Sequence, residues 1–394
     1  MFSYCKNLTS IDGIEKATDI EHHGLYGCKK ILSHFKVPAS VKRLGASSLD
    51  GGNRDIIEFQ SLIPPHIVNE PNNEQNTPPF NSKTTIYVPD IAYDRYHSKH
   101  YNWGNIETRK LSELYSTPAF HTREFDSQNS FGENLHVLRI TEEGKDEESY
   151  HYDLIKVEAG SFERKTLRTP SKALTVNITK DYYIAATEFP QWLWIDVMHF
   201  NPSKFTDNFF NIEFTSKDPD EDYYDKKSDF RPVEGISWED CAAFIKEFNK
   251  LTGLSMRLPP EAEWEYAARG GKHSRGYTYS GSNTCEDVAQ CENKNSTILM
   301  TYPCGLLQPN ELNLYDMNGN VWEWCQDYYE DWGSPVVTIP SGDDPTGPEE
   351  TPYKVIRGGD YNTFYTAGDD GFIGNRLNRL GYNRASISGF RPAL

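Results

Sequence analysis

Apolar and polar residues recur along the chain in three rhythms. Near the start, apolar residues fall every third position: Phe2, Cys5, Leu8 and Ile11, and again Leu25, Cys28 and Ile31 with His34 in the fourth place. Phe2 to Leu25 and Cys5 to Cys28 share one offset of 23, and a worn third copy starts near Leu49 with Ile56, Ile57 and Phe59. Residues 35–37 and 86–88, each followed by proline, read as strand ends. A period in the low twenties predicts a solenoid whose units each cover the next. From 150 the rhythm changes to short β-like runs at 154–157, 174–178 and 182–185, with a turn at 159–162. The third rhythm is helical. Trp194, Val197 and Met198 share a face. Ser237-Trp238-Glu239-Asp240 starts a helix through Cys241, Ala242, Phe244, Ile245 and Phe248, and Gly253 ends it. Pro259-Pro260 opens another, with Glu261 and Glu263 at its positive end and Trp264 and Ala267-Ala268 turned inward. Between 95 and 145 the signal is weak, with a short helix expected at 107–115. Asn- and Pro-rich 69–84 and acidic 141–149 and 218–225 read as loops or linkers.

Composition narrows the function. The 394 residues are 37% hydrophobic and 13% aromatic, which excludes disorder throughout. The net charge of -18 argues against a nucleic-acid partner, which needs clustered Lys and Arg. No apolar run reaches the ~20 residues of a membrane helix, so no membrane span is expected. The start shows no signal peptide. Seven cysteines (5, 28, 241, 285, 291, 304 and 325) form no Cys-x-x-Cys pair, although Cys285 and Cys291 could bridge a short loop in an oxidising compartment. No phosphate loop, His-Glu-x-x-His or Ser/His/Asp set is visible.

Several motifs then carry a resemblance. Thr187-Glu188-Phe189-Pro190, residues 257–271, Leu314-Tyr315-Asp316-Met317-Asn318-Gly319-Asn320-Val321-Trp322-Glu323-Trp324, Asp344-Pro345-Thr346-Gly347-Pro348, Arg357-Gly358-Gly359 and Gly389-Phe390-Arg391 follow one another. In that order they resemble the formylglycine-generating-enzyme, or sulfatase-modifying-factor, family over 150–394. The resemblance implies an α+β domain of C-type lectin-like fold. Residues 1–95 resemble the leucine-rich repeats of bacterial surface proteins, and 96–149 connect the two parts. The family implies a calcium site at Asn318, Gly319, Val321 and Glu323, since calcium takes such oxygens. Its founding activity, copper-dependent oxidation of a substrate cysteine, implies a cysteine pair near the C-terminus. Here 326–394 hold no cysteine, so no catalytic residues are expected. The tryptophans read as core.

The tail resembles the variable region of proteins diversified by retroelements, in which adenines of Asn-type codons are randomised. Such codons do not reach Lys, Glu, Gln, Met or Trp, and 360–394 contain none of these five. The implied function is a non-catalytic, diversified ligand-binding protein with a variable region at 360–388. The alternatives are a fixed cell-surface adhesin or structural module, and an oxidase of the family's type. Tyr361, Asn362, Thr363, Phe364, Tyr365, Asp369, Asp370, Phe372, Asn375, Asn378, Arg379, Tyr382 and Arg384 are the expected ligand contacts, because aromatics with small polar residues make good paratopes. Ile373, Leu377, Leu380 and Ile387 are expected as buried anchors. The implied partner is a protein or glycan on another cell or surface, and the implied location a virion or bacterial surface. No cofactor is required, calcium being the one considered.

Overall fold

The computed structural model describes residues 2–11, 14–51, 56–68, 78–98, 101, 103, 106–164, 174–206, 228–290, 300–331, 339–362 and 372–394. It divides into two units, Met1–Thr117 with Ile195–Pro202, and Pro118–Trp194 with Ser203–Leu394.

The first unit is a coil of parallel strands. β1 (Asp19–Ile20), β3 (Arg43–Gly45) and β5 (His66–Val68) form one sheet, and β2 (His34–Val37), β4 (Ile56–Phe59), β6 (Thr85–Val88) and β7 (Arg109–Lys110) form another. From β1 to β6 the chain alternates between the sheets, and β7 then adds to the second. A third line of rungs joins the turns where the threefold pattern lies: Leu25 N–H donates to Ser48 O at 2.8 Å, and Leu49 N–H to Pro79 O at 2.7 Å. Leu25, Cys28 and Ile31 are buried, whereas Phe2 and Cys5 of the first copy are exposed. Trp103 fills the interior against Phe59, Phe80 and Tyr96 and donates its indole N–H to Pro65 O at 2.8 Å. The helix expected at 107–115 is instead β7 and a single 3-10 turn, Leu111–Glu113, because Leu111 is the one buried apolar residue there and no apolar stripe exists to pack a longer helix.

The second unit is mixed α and β. β8 (Phe120–Gln128), β9 (Asn134–Glu142), β10 (His151–Val157) and β13 (Tyr182–Ala185) form an antiparallel sheet in the order β13-β10-β9-β8. The segment expected to be a connector therefore supplies two nine-residue strands. Residues 143–150 are the loop joining β9 to β10. β11 (Gly160–Arg164) pairs with β12 (Leu174–Ile178), which also pairs with β17 (Gly342–Asp343). β14 (Ala289–Gln290) pairs with β15 (Asn318–Gly319). The fourth sheet runs β19 (Arg376–Leu380), β18 (Tyr353–Arg357), β16 (Trp322–Tyr328), β20 (Ser388–Gly389).

Among the described residues, the longer helices are α1 (Gln191–Met198), α2 (Trp238–Thr252) and α3 (Glu261–Ala268). α2 starts and stops where the sequence says. Ser237 Oγ accepts from Asp240 N–H, Asp240 answers Ser237 N–H, and Gly253 takes φ 73°. α3 is buried on nearly every side, and Asp327 accepts its first N–H, from Glu261, at 2.7 Å. An aromatic stack fills the core: Phe189 on Phe390 at 4.9 Å and Trp194 on Phe244 at 4.6 Å. The chain's last residues are structural, since Ala393 bridges both Ile184 and Arg257. Among the described residues, no helix is long and apolar enough to cross a membrane.

Removing a stacked ring from such a core leaves a cavity. Phe390→Ala should cost ~3–5 kcal/mol in a urea melt of the whole chain. A loss below about 1 kcal/mol would place that ring outside the core.

Candidate functional site

The tail is held at its base by charge. α3 contributes Glu261 and Glu265, both buried. Around them stand Arg164 of β11, Arg357 of β18 and Arg376 of β19, with Arg269 at the helix end. Arg164 meets Glu265 at 3.0 Å, Arg357 meets Glu265 at 3.0 Å and Glu261 at 3.3 Å, and Arg376 meets Glu261 at 2.7 Å. Burial pushes both carboxyls up, but the guanidiniums win and hold Glu265 at about 2 and Glu261 below its usual value. Arg357 also donates to Ile373 O at 2.8 Å. Further along the tail, Arg384 pairs with the α2 cap residue Asp240 at 2.7 Å. Two clamps from the helices thus bracket residues 376–384.

Between the clamps runs the edge strand β19 and the turn after it. Leu377 is 47% and Tyr382 60% exposed, and Asn378 is exposed beside them. Asn362 is exposed too, whereas Asn375 and Arg379 are half-buried. Two expectations change. Leu377 is no anchor, because among the described residues it stands 47% exposed on the edge strand. Tyr361 is buried, edge-on to Phe205 at 5.3 Å, and belongs to the core. Ile373 is the anchor expected, while Leu380 and Ile387 are half-buried. Thr363, Phe364, Tyr365, Asp369 and Asp370, and the side chain of Phe372, lie outside the described residues. So do Cys291, and with it the Cys285–Cys291 bridge, and the acidic run 218–225.

A second cluster lies in the core. Glu323 of β16 binds Arg391 through both carboxylate oxygens at 2.8–3.1 Å and accepts the Trp264 indole N–H at 2.6 Å. Arg391 further donates to Ala185 O and Tyr315 O. Asn318 Oδ1 accepts Ser280 N–H at 2.7 Å, and Gly319 N–H is given to Gly358 O. Of the four residues considered for calcium, Glu323 thus holds a guanidinium and Asn318 Oδ1 a backbone N–H. A guanidinium already supplies the positive charge at Glu323.

Beside that pair, donor atoms of Glu188, Cys304 and Asp316 lie within 4.8 Å of one another. Glu188 accepts Val321 N–H at 3.1 Å and Asn320 Nδ2–H at 2.8 Å, and the Cys304 thiol lies 3.5 Å from it. Asp316 accepts Gly305 N–H at 2.6 Å through one oxygen, while its other is buried without a partner among the described residues. Burial raises all three: Glu188 and Cys304 well above their usual values, Asp316 to about 6. Three carboxylates around one guanidinium favour protonation of the spare ones. Sequence reading missed this cluster, since Glu188 and Asp316 sit in separate motifs, Cys304 sits in none, and only burial makes their charges matter.

A family model described as the sulfatase-modifying factor enzyme 1-like domain matches residues 141–394. The chain belongs to this family. The chaperone protein LppX of Paenibacillus barcinonensis is 31% identical over 237 residues, 47% of this chain and 75% of that protein. The formylglycine-generating enzyme of Thermomonospora curvata is 35% identical over 144 residues, 33% of this chain and 44% of the enzyme, so the match spans under half its length. Among solved structures, Treponema denticola variable protein 1 aligns with a TM-score of 0.49 at 26% identity, over 62% of this chain and 95% of that one. A family whose members are named as a chaperone and as an enzyme does not by itself assign catalysis.

Two pH effects separate the clusters. Glu265 gives up its proton more readily folded than unfolded. Its stabilisation is full above the unfolded value of 4.5 and drains as pH falls toward 2. Glu265→Gln should cost ~3–5 kcal/mol at pH 7 and flatten that acid limb in thermal melts. Asp316 behaves oppositely. It holds its proton more tightly when folded, so it costs stability as pH rises from 3.8 through about 6. Asp316→Asn, whose amide oxygen can still accept Gly305 N–H, should raise Tm at pH 8 and leave it unchanged below pH 4. A lower Tm at pH 8 would mean that the carboxylate is ionised and compensated there.

Proposed function

We propose that this chain is a non-catalytic ligand-binding protein. On this reading a C-type-lectin-class scaffold of the sulfatase-modifying-factor family displays 360–388 to a protein or glycan on another cell or particle, behind a leucine-rich-type coil at the N-terminal side. The observation that carries it is the placement of Leu377, Asn378 and Tyr382. They are exposed on an edge strand and turn, between the Arg376–Glu261 and Arg384–Asp240 ion pairs. Such a surface is rigid where it is held and open where it would touch a ligand, which lowers the ordering cost of binding. The absence of cysteine from 326–394 and of Lys, Glu, Gln, Met and Trp from 360–394 supports the same reading.

Deep sequencing of the gene's 3′ end across a natural population tests it. The expected result is substitution confined to adenine positions of codons 360–388, beside a near-copy template and a reverse transcriptase. A uniform tail would leave a fixed adhesin, and copper-dependent oxidation of a cysteine peptide would make the chain an enzyme. Tyr382→Ala should also change stability by less than ~0.5 kcal/mol, as a displayed side chain does. A larger loss in a thermal melt would give that ring a packing role.

A further inference from the structure

β8 is an edge strand, and among the described residues no strand pairs with its outer side. The hairpin ends fix which of its residues bond to β9: Glu143 N–H donates to Ala119 O at 2.8 Å, and Asn129 N–H donates to Glu133 O at 3.0 Å. The register between them is unbroken. Bonding alternates along an antiparallel pair, so odd-numbered residues bond inward. The N–H and C=O groups of Thr122, Glu124 and Asp126 therefore point away from the sheet, and all three residues are exposed. α2 meets the strand at its first residue, where Phe120 lies 5.4 Å from Phe248.

The side chains beside this edge are charged. Glu124, Asp126, His136, Lys156 and Tyr183 line an open cleft of about 410 Å³ on one face of the sheet. Asp126 pairs with His136, and Lys156 with Asp181 at 3.0 Å. Glu124, opposite Leu138, has no ion-pair partner among the described residues. One negative charge thus stands uncompensated at the rim, in a chain of net charge -18.

We propose that β8 takes an extended peptide of a partner protein as a fifth strand, with basic side chains opposite Glu124 and Asp126. Main-chain bonds to Thr122, Glu124 and Asp126 give the docking, and the two carboxylates give the preference. A second copy of the chain is the poorer occupant. A twofold pairing centred on residue 123, 124, 125 or 126 sets Arg123 on Arg123, Glu124 on Glu124, Glu124 on Asp126, or Asp126 on Asp126. Like charges directly opposite destabilise a strand pair. The site is separate from the tail and does not rest on the reading above.

The test uses the full chain and a fluorescein-labelled peptide, acetyl-Thr-Val-Lys-Val-Lys-Val-Thr-amide, followed by anisotropy. The expected result is saturable binding that weakens with salt. The counterpart with Glu for Lys should bind at least ~10-fold less tightly, and Glu124→Lys should reverse that order. N-methylation of alternate peptide nitrogens should abolish binding in one phase and spare it in the other, leaving the protein untouched. Thr122→Pro removes an outward N–H that no ladder bond uses, and should weaken binding too. Hydrogen exchange at residues 122, 124 and 126 should slow when peptide is added. Absence of saturable binding, indifference to N-methylation, or equal binding of the acidic peptide would overturn the proposal. So would slow exchange of those amides in the free chain, which would mean the edge is already covered. A concentration-dependent dimer dissolved by Thr122→Pro would assign the edge to a second copy instead.

Discussion

A guanidinium in a protein interior is tolerable only beside a carboxylate, and Arg391 has one in Glu323. That pair joins the C-terminal residues to the start of a central strand. Through its other bonds it also reaches Ala185 and Tyr315. Sheet, loop and C-terminal segment therefore share one charged knot. The indole of Trp264 on the same carboxylate brings α3 into it. What lies between Arg357 and Arg391 is a long excursion with both stems fixed. Arg357, Arg376, Arg384 and Arg391 tether it to buried carboxylates along its length.

How much of this was legible depended on whether a feature is local. The α2 boundaries were readable because Ser237, Asp240 and Gly253 act within a few residues of the ends they set. The strands 154–157, 174–178 and 182–185 were readable from short apolar runs. The β8–β9 hairpin was not, because most of β8 is exposed and charged residues fill both of its faces, leaving no alternation to see. Its pairing comes from β9, whose Leu135, Val137 and Leu138 are buried.

The candidate site divides along the same line. The tail's place and polar, aromatic character were visible in the residues. Which aromatic faces solvent was not: Tyr361 and Tyr382 look alike in sequence, yet one packs on Phe205 and the other protrudes. Leu377 misled for the complementary reason, since hydrophobicity predicts burial only where a neighbour exists to provide it. The period of the N-terminal coil was visible from its cysteine spacing. That its turns serve two sheets was not, since strands as short as β1 and β5 leave almost no pattern.

The position of Ala393 bears on how the chain is made. It bridges two strands' worth of backbone, at Ile184 and Arg257, and Leu394 exchanges bonds with Tyr183. On the ribosome, the parallel coil has all its rungs once its own residues emerge. The second unit has no such early solution. Its core stays open at Phe390 and Arg391 until synthesis has passed them, so its hydrophobic interior must wait, exposed, for those residues to clear the exit tunnel.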